Sequence, residues 1–207
     1  FDAIVGARQG TAFTHHDYSD VWSLISHPDR KIRLAVPGML EWLASLDPEA
    51  AGAPKEFPFM LAAGQRRMFN ANQIFRDPAW RRDDPDGALL ISAADLGELG
   101  AKDGDWIAIE SAVGRLIVRC KIDDSMRNGQ LALPHGYGQS HPAPDGERLT
   151  NGPRINLLTE TGNRDPIAGT PYHKHVAVRL ARVPALEAAA CQMQSERIHA
   201  KAAADRV

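Results

Sequence analysis

Asp103-Gly-Asp-Trp106-Ile-Ala-Ile-Glu110 and Arg115-Leu-Ile-Val-Arg-Cys-Lys-Ile122, joined by a short turn near Val113-Gly114, decide the fold class of this chain. Both runs alternate apolar and polar side chains, the period of a strand with one face buried. Two such runs around a glycine turn predict a β-hairpin, launched by the turn-forming pair Asp103-Gly104. Working outward, Asn128-Gly129 is a second turn and Gln130-Leu-Ala-Leu-Pro134 a further strand. His175-Val-Ala-Val-Arg-Leu-Ala-Arg182 alternates again. On the N-terminal side, Phe57-Pro-Phe-Met-Leu-Ala-Ala63 is an apolar run ending at Gly64, and Ala88-Leu-Leu-Ile91 is another. Ser92-Ala-Ala-Asp95 predicts a capped helix, kept short by Gly97 and Gly100. Five or six short strands with one small helix between them predict a mainly β chain closed into a barrel. Closure removes the exposed strand edges that an open sheet must protect.

The flanks read differently. Residues 1–54 predict an N-terminal connecting segment, with a short apolar piece at Tyr18–Ile25 and an alternating, strand-like run at Lys31–Val36. A helix is expected over Pro37–Leu46, followed by a proline- and alanine-rich linker. Residues 55–183 form the expected barrel, with Tyr137–Pro153 mostly loop. Residues 184–207 are alanine-rich and charged, a helical tail with little apolar surface to bury. A first residue Phe1, with no targeting signal visible after it, suggests a piece cut from a longer chain.

Composition narrows the function classes. The 24 Lys and Arg nearly balance 26 Asp and Glu, for a net charge of −2, which argues against a general nucleic-acid binder. No apolar run reaches the roughly 20 residues of a membrane-spanning helix. Cys120 and Cys191 are the two cysteines; neither a zinc site nor an iron–sulfur cluster can be assembled from them, and a disulfide between them stays open. No P-loop, HExxH, nucleophile elbow or dinucleotide GxGxxG is present.

Several segments could carry chemistry. In Leu61-Ala-Ala-Gly64-Gln65-Arg66-Arg67-Met-Phe-Asn70-Ala-Asn72 a strand ends at a glycine, and two guanidinium groups and two carboxamides follow. The glycine permits close backbone approach, arginine offers a planar fork matched to phosphate, and asparagine can pair with a heterocycle edge. A solvated basic loop would look the same. Arg76-Asp-Pro-Ala-Trp80-Arg-Arg82 could stack on a base or simply cover a core edge. Pro134-His135-Gly136-Tyr137-Gly138, Asn156-Leu-Leu-Thr159 and Asp165-Pro-Ile-Ala-Gly-Thr-Pro-Tyr172-His173-Lys174-His175 complete the set. His173 and His175 would face the same way on a strand, with no cysteine or carboxylate pattern to make a metal site.

The ordered series resembles a known family. It runs from a strand ending in Gly-x-Arg to a capped turn, then Leu99-Gly-x-x-Asp-Gly-Asp-Trp106 and the hairpin. Gly129-x-x-x-Leu-Pro-His-Gly136, Asn156-x-Leu-Thr159 and Asp165-Pro-x-x-Gly-Thr-Pro-x-x-Lys174 follow. The chain over residues 55–183 is similar to the C-terminal molybdopterin dinucleotide-binding domain of the dimethyl-sulfoxide-reductase superfamily of molybdopterin oxidoreductases. Gln65-Arg-Arg67, Asn70-Ala-Asn72 and Arg76-Asp-Pro-Ala-Trp80 resemble a formate-dehydrogenase-like branch. Tyr18–Leu46 resembles the connection that precedes this domain.

The resemblance implies a double-psi β-barrel and a molybdopterin guanine dinucleotide bearing molybdenum or tungsten. It implies cofactor contacts from Gly64, Gln65, Arg66, Arg67, Asn70, Asn72, His135, Gly136, Asn156, Thr159, Tyr172, His173 and Lys174. Phosphate contacts fall to the arginines and amide or pterin-edge bonds to Asn72, Asn156 and Lys174, which should converge at one end of the barrel. The metal ligand belongs to an earlier domain, so neither catalysis nor a metal site is expected from this chain alone. Its partners would be the remaining domains of a parent oxidoreductase, with no nucleic acid and no membrane insertion. The cytoplasm is the expected compartment, with the periplasm as the alternative. A separate molybdopterin-binding or delivery subunit and a double-psi interaction domain are the other readings.

Overall fold

The computed structural model describes residues 1–11, 17–46, 54–65, 75–81, 84–143 and 145–204. Two compact units are present, Phe1–Pro48 and Glu49–Val207. The first contains helix α1 (Asp2–Gly6), a 3-10 turn at Tyr18–Leu24 and helix α2 (Pro37–Ser45), none with a buried residue. Pro37 opens α2, where its missing N–H costs nothing. The strand expected at Lys31–Val36 does not form. Alternation alone cannot make a strand, because unpaired backbone N–H and C=O groups need a neighbouring strand.

The second unit is the double-psi barrel. Six strands close on themselves: β1 (Phe59–Gln65), β2 (Leu89–Ile91), β3 (Trp106–Glu110), β4 (Arg115–Ile122), β5 (Gln130–Pro134) and β8 (Val176–Arg182), in the order β1-β5-β2-β4-β3-β8. The β1–β5 and β2–β4 pairs are parallel and the other neighbours antiparallel. The expected hairpin is β3–β4, in register from Trp106 opposite Arg119 to Glu110 opposite Arg115. Alternate side chains Leu61, Ala63, Ile107, Ile109, Val118, Cys120, Leu131, Leu133 and Val178 fill the interior together with Leu89, Ile91 and Leu96.

Helix α3 (Ala93–Glu98) follows β2, capped by Ser92, whose hydroxyl accepts from Asp95 N–H. The capping box is modified. Asp95 Oδ2 accepts from Ser92 Oγ and from Gly129 N–H, both at 2.9 Å. The carboxylate thus joins the helix start to the turn before β5. Burial pushes the Cys120 thiol up to about 11, and both cysteines are free.

Tyr137–Pro153 is not loop throughout. Strands β6 (Gln139–Pro142) and β7 (Arg148–Asn151) pair antiparallel. Their side chains are mostly polar, so the hydrophobic alternation that marks a strand is missing. Helix α4 (Ala185–Ala204) is docked rather than free. Ser195, Ile198 and Ala202 share one buried face, and Ile198 packs with Ala143 and Leu149 of the hairpin region. Asp86 accepts from Ser195 Oγ at 3.1 Å and lies 2.9 Å from His199 Nε2. Trp106 Nε1 donates to Gln192 Oε1 at 3.2 Å. No helix among the described residues is long and apolar enough to cross a membrane.

Farther along α4, Lys201 pairs with Asp145 at 2.6 Å and with Glu147, and Arg197 pairs with Glu147 at 2.6 Å. Hydrogen bonds from Lys201 are the largest cause holding both carboxyls below their ordinary 3.8 and 4.5, and the same bonds raise Lys201 above 10.5. Carboxyls with lowered folded-state pKa values stabilise fully above their unfolded values and lose that effect as pH falls through the folded ones. The raised lysine loses its part as pH rises. The tether is therefore complete between about pH 5 and pH 10. Protection factors for amide exchange in the last turns of α4 are expected to fall below about pH 4, before those of the barrel strands do. Simultaneous loss of protection in α4 and β3 would disprove an independent tether.

Candidate functional site

A cleft of about 740 Å³ opens where β1 and β5 end. That volume falls within the range that holds small ligands. Ala63 and Gly64 contribute from β1, and His135 to Ser140 from the end of β5 and the start of β6. Arg154 to Leu157 and Thr159 contribute from the turn after β7, with Arg76 and His173 at the sides.

Gly64 sits where the β1–β5 register slips between Ala63 and Gln65. Its φ is +93°, and an added Cβ would lie 3.4 Å from the His173 ring and 3.6 Å from the His135 ring. A side chain there would meet both imidazoles at van der Waals contact but strain the left-handed backbone, which explains the glycine at the strand end. His173 is oriented by its Nδ1, 3.0 Å from Pro171 O. The turn ahead of it is closed by Asp165, whose Oδ1 accepts from Ile167 N–H at 2.8 Å and Ala168 N–H at 2.6 Å. The Asp-Pro-x-x-Gly-Thr-Pro run thus shapes a loop.

Arg154 spans the cleft wall, its Nε donating to Gly138 O at 2.7 Å. Gly138 N–H donates to Asn151 O at 2.7 Å. Thr159 Oγ1 donates to Asn156 O at 3.3 Å, tying the ends of that turn. The described lining contains Arg76, Arg154, His135 and His173 and no Asp or Glu. Such a cleft favours an anion, and its glycine edges leave room for a flat ring system. Among the described residues no cluster of His, Cys, Asp and Glu could hold a metal ion.

Of the sequence candidates, Gly64, His135, Gly136, Asn156, Thr159 and His173 line this cleft together. Arg66, Arg67, Asn70 and Asn72 lie outside the described residues, and of Gln65 only the backbone is described. Tyr172 and His175 line a different depression, beside Phe57 and Val113. Lys174 is exposed and not part of the cleft lining. The expectation that His173 and His175 face one way fails, because β8 begins at Val176 and both histidines lie on the preceding turn. Arg154 was not anticipated; its signal is the Asn151-Gly-Pro-Arg154 turn that delivers it opposite Gly138.

The chain matches the Molydopterin dinucleotide binding domain family over residues 59–177. It is similar to acetylene hydratase of Syntrophotalea acetylenica, 33% identical over 60% of this chain and 18% of that protein. It is also similar to the arsenate respiratory reductase molybdopterin-containing subunit ArrA of Chrysiogenes arsenatis, 31% identical over 44% of this chain and 12% of the relative. The solved acetylene hydratase from Pelobacter acetylenicus superposes with a TM-score of 0.52 at 26% identity, over 66% of this chain and 19% of that one. The chain therefore spans under a fifth of the length of these relatives.

Proposed function

The chain belongs to the molydopterin dinucleotide binding domain family, and from that premise we propose that its cleft holds a molybdopterin guanine dinucleotide as the C-terminal part of a larger oxidoreductase. The observation that carries this reading is the cleft itself, where two arginines and two histidines meet at glycine-edged turns with no carboxylate among the described lining residues. A pyrophosphate needs cations and N–H donors, and a flat bicyclic ring needs an opening free of side chains. The described residues fit both requirements.

Arg76 and Arg154 are placed to meet the phosphates, joined in this proposal by Arg66 and Arg67. Asn156 offers a carboxamide to a ring edge, a role we also give Asn72, and Gln65, Asn70, Tyr172 and Lys174 complete the proposed shell. The bound group would supply redox chemistry at a molybdenum or tungsten ion, while this chain binds and orients its nucleotide arm. The guanine form and a formate-dehydrogenase-like branch are finer proposals, the latter supported by Gln65-Arg-Arg67 and Arg76-Asp-Pro-Ala-Trp80 alone. Residues 1–54 are proposed as the connection to preceding domains, residues 55–183 as the binding barrel and 184–207 as its tail.

Metal and pterin analysis of this chain and of its longer parent tests the assignment. Stoichiometric cofactor in the parent and weak binding by the chain alone are expected, because an arm held by one wall loses the enclosure of the others. Stoichiometric metal retained by the chain alone would point to an autonomous binding or delivery subunit. A parent without pterin would overturn the cofactor reading.

A further inference from the structure

Arg81 follows the 3-10 turn Pro78–Trp80 and is 1% exposed, a costly place for a guanidinium. Burial lowers its pKa, opposed chiefly by Tyr137 and Asp84. It donates to main-chain carbonyls: Nε to Phe75 O, and Nη2 to Gly136 O at 3.3 Å. The same guanidinium lies over the Tyr137 ring, 4.1 Å from its centroid. One buried cation thus grips two consecutive residues of the cleft wall without lining the cleft itself.

Tyr137 is in turn fixed from other sides. Its hydroxyl donates to Asp84 O. An added Cβ at Gly87 would come within 2.8 Å of its ring, and one at Gly152 within 2.6 Å. The ring fills a slot that glycine alone leaves open, with the arginine over its face. The loop also has positive φ at Gly136 (+86°) and Gly138 (+70°), so it would relax readily if its anchors were lost.

We propose that Arg81 is the positioning residue of the cleft, presetting the His135–Gly138 loop so that its ligand-facing groups meet the cofactor without reordering. The inference rests on the cofactor reading above and deepens it. Preorganisation of this kind raises affinity by removing the cost of ordering the loop on binding. Lysine keeps the charge but cannot bond both carbonyls and stack flat on the ring.

The test compares this 207-residue chain with its Arg81→Lys variant, titrated with guanosine diphosphate and followed by amide NMR. Movement or broadening of the His135, Gly136 and Gly138 amides is expected, with Ile107 and Val118 unmoved, and the nucleotide dissociation constant should rise about tenfold. Unmoved loop amides with affinity within twofold of wild type would overturn the proposal. Should wild type not bind the nucleotide while the loop amides still move in the variant, the positioning role stands and pterin analysis of the longer parent decides the cofactor reading. If Arg81→Lys does not fold, the wild-type Arg81 Nε–H decides: slow exchange with water supports the anchor, and fast exchange overturns it.

Discussion

Replacing Gly114 with alanine should destabilise the chain by about 3 kcal/mol and disturb the cleft at a distance. Gly114 closes the β3–β4 hairpin, where its carbonyl accepts from Ser111 N–H at 2.9 Å. A Cβ at this position would lie 2.0 Å from Leu157 O and 3.1 Å from Leu157 C. Those are backbone atoms of the Ile155–Leu157 turn, so no side-chain rotation relieves the clash. Either the hairpin or the turn must move, and Ile155, Asn156 and Leu157 all line the cleft. Urea unfolding should therefore show a lower midpoint, and guanosine diphosphate binding should weaken in the molecules still folded. Gly146→Ala is the control. Its φ is +81° with no atom near the new Cβ, so the cost is left-handed backbone strain alone, worth about 1 kcal/mol. Equal effects at the two positions would refute the close approach.

The barrel was legible because the strands carry their larger apolar side chains inward, as Ile107, Ile109, Val118 and Cys120 do at every second residue. Two elements show where the rule fails. Lys31–Val36 has the alternation but no partner strand, whereas β6–β7 has partners but no alternation of apolar residues. His141, Leu149 and Asn151 are its buried members, two of them polar. Pairing is a tertiary fact, and a pattern along one strand reports it only when burial is hydrophobic. Helix α4 was expected as a helical tail, and only its docking escaped notice, for a related reason. Its docking depends on Asp86, Asp145 and Glu147, carboxylates remote in sequence that meet Ser195, His199, Arg197 and Lys201.

For the cleft, the motif order made Gly64, His135, Gly136, Asn156, Thr159 and His173 readable, since loops at one barrel end gather whatever follows the strands. Arg154 and Arg81 were harder to see as site residues. An arginine in a turn usually signals solvent, and only the fold reveals that these two grip the Gly136–Gly138 backbone. Tyr172 and Lys174 stand beside His173 in sequence yet do not line the cleft with it, because a turn can send adjacent side chains in different directions.

Leu133→Ala should cost the barrel roughly 3–4 kcal/mol, a large part of the 5–15 kcal/mol typical of a domain. Leu133 is fully buried on β5, opposite Ala63 of β1, in the interior cluster with Leu61 and Leu131. Truncation removes the buried methyl groups and leaves a cavity, because two strands hydrogen-bonded to β5 resist collapse. The same chemical change at Leu186, which is 86% exposed at the start of α4, should be nearly neutral, within about 0.5 kcal/mol, since alanine is also the better helix former. Urea midpoints for the two variants, taken with unchanged slopes, give the comparison directly. Leu133 also leads through Pro134 into His135 and Gly136, so a slack β5 reaches the cleft wall. If Leu133→Ala leaves the folded His135 and Gly136 amides unmoved, strand packing does not set that wall. The placement of the loop then falls to Arg81 and its neighbours alone.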